Sequence, residues 1–271
     1  MKYVAITFTV TGAGQADIVI ALLAETGFEG FEEDGNMVKA FIKEEAFDKA
    51  ALEEVTGGLG ITYNMATIDP QNWNAQWESS FDPVIVNDFA AVRAGFHPPV
   101  KNVRHEIIIT PKMSFGTGHH ATTYLMMEQM SQLDFTNTSV MDFGTGTGVL
   151  AILAEKMGAL SIAAIDNDDW SIENALENTG YNHCKKIVVK KAEAIEPNEK
   201  YDIILANINL NVILDNMPAI AAACTPGASV LLSGFLVADE GMVTSALAAN
   251  ELAFREVNEK NGWICIQAAA S

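Results

Sequence analysis

The chain alternates between two hydrophobic rhythms. From Tyr3 to Thr9 apolar and polar residues take turns, the period-two signature of a half-buried strand. "GQADIVIALLAETG" then follows helical spacing and stops at Gly27. "FEGFEED" and "NMVKAFIKE" flank Asp34-Gly35-Asn36, residues that accept the backbone of a tight turn, and this predicts a hairpin. "EAFDKAALEEVTGG" is a second helical stretch, closed by Gly57-Gly58, and "ITYNMATID" reads as a last strand. The predicted order over residues 1–68, βαββαβ, is that of a small ferredoxin-like α+β domain.

A short linker helix is expected over 69–83, where Trp73 and Trp77 stand four apart and share one helical face. Short strands follow from about 84 to 110, with Pro98-Pro99 between them. From 119 onward the two rhythms alternate. Strands are predicted at 138–143, 161–166, 187–191, 201–206, 228–233, 252–258 and 263–268, and helices at 119–132, 149–157, 169–179, 209–223 and 238–249. Alternation of this kind makes residues 84–271 an α/β domain with a mostly parallel sheet covered on both faces. The two consecutive strands at the C-terminus imply one antiparallel partner.

Composition narrows the function. No apolar run approaches the ~20 residues of a membrane span, and the N-terminus lacks the continuous apolar centre of a secretion signal. Cys184, Cys224 and Cys265 are odd in number and widely spaced, which suits a reducing cytoplasm. Net charge is −19, from 35 acidic and 16 basic residues. Such a surface repels a phosphate backbone, so direct nucleic-acid binding is not expected; the acidity either aids solubility or attracts a basic macromolecule. Residues 1–68 carry four lysines and eleven acids, five of the acids between Glu25 and Asp34.

The chemistry concentrates in "VMDFGTGTGVLAILAEKMGA", residues 140–159. Asp142 ends a strand, and Gly144, Gly146 and Gly148 open a helix as G-x-G-x-G, a turn that brings backbone N–H groups against a ligand without Cβ interference. The dinucleotide fingerprint would need glycine at 149, where Val149 stands. Asp166 closes the next strand, 22 residues past Gly144, near the spacing of an acid that binds ribose hydroxyls; it is also placed to cap the following helix. Asn207 closes "YDIILAN", the strand that abuts the first in a doubly wound sheet, and is either a ligand contact or a helix cap. His119-His120 have no third partner at zinc spacing, so no metal is expected. Met126, Met127 and Met130 read as core, and no G-x-S-x-G elbow is present.

The glycine loop with an acid ending the second strand resembles the seven-stranded, Rossmann-like class of S-adenosylmethionine-dependent methyltransferases. "NWNAQWESSFDP", "MSFGTGHHATTYLMM", "DFGTGTG" and "ANI", in that order, resemble the ribosomal protein L-eleven methyltransferases, the PrmA family. The resemblance spans nearly the whole chain, and is strongest over 71–83 and 113–207. It implies a cytoplasmic, monomeric enzyme that uses S-adenosylmethionine to methylate lysine side-chain and N-terminal amines of ribosomal protein L-eleven. It carries cofactor contacts onto Thr123, Gly144, Asp166 and Asn207, with Phe115, Gly116 and Thr117 as further candidates for closing over the cofactor. Asn207 is the candidate for orienting the target nitrogen, and no general base is assigned. "GTGTG" and "NIN" depart from the commoner family spellings and leave backbone geometry intact. Methylation of another protein amine or amide, and nicotinamide oxidoreduction on a similar fold, are the alternatives.

Overall fold

The computed structural model describes residues 2–68, 82–110 and 121–271. They fall in two compact units, Met1–Ser80 and Phe81–Ser271. In the first, β1 (Tyr3–Thr9), α1 (Ala13–Glu25), β2 (Gly30–Asp34), β3 (Met37–Lys43), α2 (Lys49–Leu59) and β4 (Tyr63–Ile68) follow one another. The strands form an antiparallel sheet in the order β2-β3-β1-β4. Val38, Ala40 and Ile42 alternate with more exposed neighbours along β3, and pack with Val19 and Leu23 of α1 and Leu52 of α2. Burying one such side chain contributes about 1.5–3 kcal/mol.

Asp48 caps α2 by accepting hydrogen bonds from the N–H groups of Ala50 and Ala51 at 2.8 and 3.4 Å. The helix runs through Gly57-Gly58 and ends at Gly60, which adopts φ +63°. The expected closure at 57–58 is thereby corrected. A left-handed cap needs one glycine, where the main chain turns away, and the two earlier glycines simply continue the helix.

The second unit opens with a three-stranded sheet of β5 (Val84–Val86), β6 (Ala90–Ala94) and β7 (His105–Ile109), in that order, with β7 at an edge. After α3 (Ala121–Met130) come β8 (Ser139–Phe143), α4 (Val149–Lys156), β9 (Ser161–Asp166), α5 (Asp169–Tyr181), β10 (Ile187–Lys191), β11 (Tyr201–Asn207), α6 (Leu210–Ala222), β12 (Cys224–Leu236), α7 (Glu240–Ala249), β13 (Leu252–Lys260) and β14 (Trp263–Ala270). The seven strands from β8 form one sheet, ordered β10-β9-β8-β11-β12-β14-β13. Strands β10 through β12 are parallel, and β14 runs antiparallel to both its neighbours.

Both faces of the large sheet are buried. Val140, Ile203, Leu205, Leu231 and Cys265 pack toward α3, α4 and the small sheet. Their sequence neighbours Met141, Ile204, Ala206, Leu232 and Ile266 pack toward α6 and α7. This is why these strands read as unbroken apolar runs. Strand order reverses between β8 and β11, with Ala206 level with Phe143. A crevice at the carboxyl ends of these two strands is where open α/β sheets take their ligands.

Candidate active site

Gly144, Gly146 and Gly148 leave β8 with φ of +75°, +54° and +79°. A Cβ on Gly144 would stand 2.0 Å from Ile208 Cγ2, and one on Gly148 would stand 3.3 Å from Ala175 Cβ. The first glycine thus admits the segment after β11, and the third admits α5. The N–H groups of Gly144, Thr145, Gly146 and Gly148 are engaged within the protein. Those of Gly144 and Thr145 both donate to the Ile165 carbonyl at 2.9 Å, and that of Gly148 donates to the Thr145 carbonyl at 2.8 Å. The Gly146 N–H donates to Asp166 Oδ2 at 2.9 Å. The partners of these four amides come from the adjacent strand and from the loop itself. What the glycines offer is a surface bare of Cβ atoms.

Asp166 is held from two sides, since its Oδ1 accepts from the Asp168 N–H at 3.1 Å. The cap of α5 is Asp168, which accepts from the N–H of Ser171 at 2.9 Å. Asp166 is therefore not spent on the helix. Beneath the loop, buried Asp142 accepts from Thr145 Oγ1 at 2.6 Å and from the Ala151 N–H at 3.2 Å. Burial pushes its pKa up to about 6; the two hydrogen bonds oppose the rise, and the negative charge of Asp166 adds to it.

Asn207, 8% exposed, ends β11 opposite the loop. Its Nδ2 donates to the buried Oγ1 of Thr123 on α3 at 3.2 Å, and its Oδ1 has no partner among the described residues. The helix cap is Asn209, whose side chain accepts from the Val212 N–H at 3.1 Å. The structure thus brings Thr123, Gly144, Asp166 and Asn207 to one end of the sheet. Phe115, Gly116 and Thr117, like His119-His120 and the two linker tryptophans, lie outside the described residues.

A cavity of about 430 Å³ opens between these elements, lined by Gly144, Gly146, Asp166 and Asn207 together with Ile208, Asn209, Gly234 and Trp263. A smaller one of about 140 Å³ adjoins it along Asn167, Ala192 and Glu193. Sequence reasoning missed Ile208, Gly234 and Trp263 as lining residues. Gly234 had a signal: a lone glycine in the apolar strand "VLLSGFL" marks a close backbone approach. It adopts φ +102°, and a Cβ there would lie 2.0 Å from the Ile208 carbonyl oxygen.

A second missed set lies on α5. Asn178, fully buried, accepts from the Thr110 N–H at 2.7 Å and donates through Nδ2 to the Thr147 carbonyl at 2.8 Å and to Asn174 Oδ1 at 2.6 Å. Asn182 accepts from the Ile108 N–H at 3.0 Å and donates to the Ile108 carbonyl at 2.6 Å. Asparagines at i, i+4 and i+8 were the available signal.

The donor set suits a polar organic ligand with a ribose. Asp166 offers carboxylate oxygens to hydroxyls, the bare glycine loop admits close contact, and Asn207 presents an unpartnered oxygen. The volume falls within the ~300–1,000 Å³ of small-molecule sites. Among the described residues no group of three His, Cys, Asp or Glu side chains could hold a metal. No described helix is long and apolar enough to cross a membrane.

Comparison with known proteins agrees with this geometry. The family described as ribosomal protein L11 methyltransferase (PrmA) matches residues 11–271. A ribosomal protein L11 methyltransferase of Phocaeicola vulgatus is 35% identical, the match covering 98% of this chain and 99% of that one. Its counterpart in Porphyromonas gingivalis is 39% identical, over 98% of this chain and 97% of that one. The crystal structure of a ribosomal protein L11 methylase from Lactobacillus delbrueckii subsp. bulgaricus superposes with a TM-score of 0.66 at 28% identity, covering 70% of this chain and 100% of that one. Sequence, strand order and the crevice between β8 and β11 lead to one conclusion: the chain belongs to the ribosomal protein L11 methyltransferase family.

Proposed function

We propose that this chain transfers methyl groups from S-adenosylmethionine to lysine side-chain and N-terminal amines of ribosomal protein L11. The single observation that carries the reading is the unpartnered Oδ1 of Asn207, whose Nδ2 donates to Thr123, beside the cavity that Asp166 also lines. Family membership sets the nicotinamide alternative aside. The strand orders support the finer fold reading, a Rossmann-like methyltransferase sheet over 84–271 and a ferredoxin-like domain over 1–68; substrate recognition by the latter is part of the proposal. A monomeric, cytoplasmic protein without direct nucleic-acid contacts completes the proposal.

S-adenosylmethionine, when bound, supplies an electrophilic methyl carbon on a sulfonium. Asp166 accepts hydrogen bonds from the ribose hydroxyls, and its two backbone donors fix the carboxylate before the ligand arrives. A free lysine amine has a pKa of about 10.4, so about one in 2,500 is neutral at pH 7, and exposing its lone pair costs roughly 4.6 kcal/mol. Asn207 Oδ1 would accept an N–H of the neutral amine and so orient the target nitrogen. Because the Asn207 amide is pinned through Nδ2, this orientation is set in advance. The acids between Glu25 and Asp34 recruit the basic substrate, while the apolar cavity walls of Val149, Leu150 and Ile208 disfavour the ammonium form.

The test is a methyl-labelling assay with purified chain, labelled S-adenosylmethionine and L11, followed by mass spectrometry of the product. Label on L11 amines, lost in Asn207→Ala, is expected. Label that stays off L11 while entering other proteins would overturn the substrate assignment.

A further inference from the structure

Thr147 sits between the second and third glycines of the cofactor loop, and its carbonyl is held by an element that does not belong to the loop: Asn178, in the middle of α5. The same side chain holds the Thr110 N–H, one residue beyond β7. Asn174 donates to the Thr110 carbonyl at 3.4 Å, and Asn182 takes both main-chain groups of Ile108. Asn174 and Asn178 on α5 and Asn182 at its C-cap therefore anchor the β7 end, and in the bonds among described residues only Asn178 of the three also reaches the glycine loop. Ala175, one turn away on the same helix face, meets Gly148.

We propose that Asn178 is a positioning residue for the cofactor loop, tying the carbonyl of Thr147 to the same amide that fixes Thr110. The inference rests on the S-adenosylmethionine site proposed above. Each loop N–H noted above is taken up by β9, by Asp166 or by the loop itself, and Asn178 adds a tether from α5 through a carbonyl. Without it, Thr147 keeps a buried carbonyl with one fewer donor and the loop populates other conformations. The apparent Kd for the cofactor then rises by the inverse of the fraction still in the binding geometry.

The test compares Asn178→Ala with Asn182→Ala, whose side chain does not touch Asn178's side-chain amide, in the full-length protein at a temperature where both are folded. S-adenosylmethionine affinity is read by calorimetry, and loop opening by hydrogen exchange of residues 144–148 in the ligand-free protein. Asn178→Ala should weaken binding roughly tenfold or more and speed exchange of the loop. The Asn182 control should lower Tm while holding Kd within about threefold, below the roughly fivefold lower end of typical coupling. Asn178→Asp keeps the acceptor for the Thr110 N–H and removes the donor to Thr147, so it serves if the alanine variant does not fold, with the same expectation. Equal Kd and equal loop exchange for Asn178 and Asn182 variants would overturn the proposal. Failure of the unsubstituted protein to bind S-adenosylmethionine would instead overturn the functional reading beneath it, and the exchange data alone would still decide the loop tether.

Discussion

Gly234→Ala should damage turnover far more than its small volume suggests. The added Cβ would lie 2.0 Å from the Ile208 carbonyl oxygen and 2.7 Å from its carbonyl carbon. Carbon and oxygen settle no closer than about 3.3 Å, so strand and loop must part by about 1.3 Å. The atom in the way belongs to the main chain, so no rotamer change relieves the clash, and the peptide that moves is Ile208–Asn209, one residue past Asn207. A misplacement near 1 Å costs about 10²-fold in rate. Gly227→Ala is the matched control: also in β12, also at positive φ (+78°), but with nothing within 4 Å of the new Cβ. It should cost only the left-handed backbone, about 1–2 kcal/mol, and leave turnover unchanged. Single-turnover methylation with saturating cofactor, beside thermal unfolding of both variants, separates the two effects. Equal losses of Tm with equal, near-normal rates would refute the reasoning, because the crowding at Ile208 would then have no catalytic consequence.

Three further outcomes are expected. Asp166→Asn should weaken S-adenosylmethionine binding by roughly tenfold or more, since an amide presents one acceptor where the carboxylate presents two; calorimetry showing unchanged affinity would remove Asp166 from the site. Asp142 binds its proton more tightly folded than unfolded, where a carboxyl titrates near 3.9, so stability should fall as pH rises from about 4 through about 6, and Asp142→Asn should flatten that part of a urea-midpoint profile. Neutralising Glu29, Glu32 and Asp34 together should raise KM for L11 and reduce its salt dependence with kcat little changed; a KM indifferent to both would end the recruitment role.

The strand and helix rhythms carried the architecture, because buried strands and amphipathic helices leave different periods in the sequence. Lone punctuation was less readable. Gly57, Gly58 and Gly60 are alike as letters, and only the path of the main chain makes the last one the helix cap. Asp166 and Asn207 stood out by spacing, yet each had a capping alternative that Asp168 and Asn209 resolved only in three dimensions. Thr123 was reachable through family resemblance alone, since 84 residues separate it from Asn207 and no local pattern joins them. The asparagines of α5 stayed hidden because polar residues at helical spacing ordinarily describe a solvated face, whereas Asn174 and Asn178 are completely buried.

That buried row has a consequence for the solution behaviour of the protein. Among the described residues strand β7 lies at the rim of its sheet, and an uncovered rim invites pairing with a foreign chain. Asn182 grips Ile108 through one N–H and one carbonyl, as a neighbouring strand would, and Asn178 takes the next available N–H along. Side-chain amides thus impersonate a missing strand, and they close off a route to aggregation without lengthening the sheet.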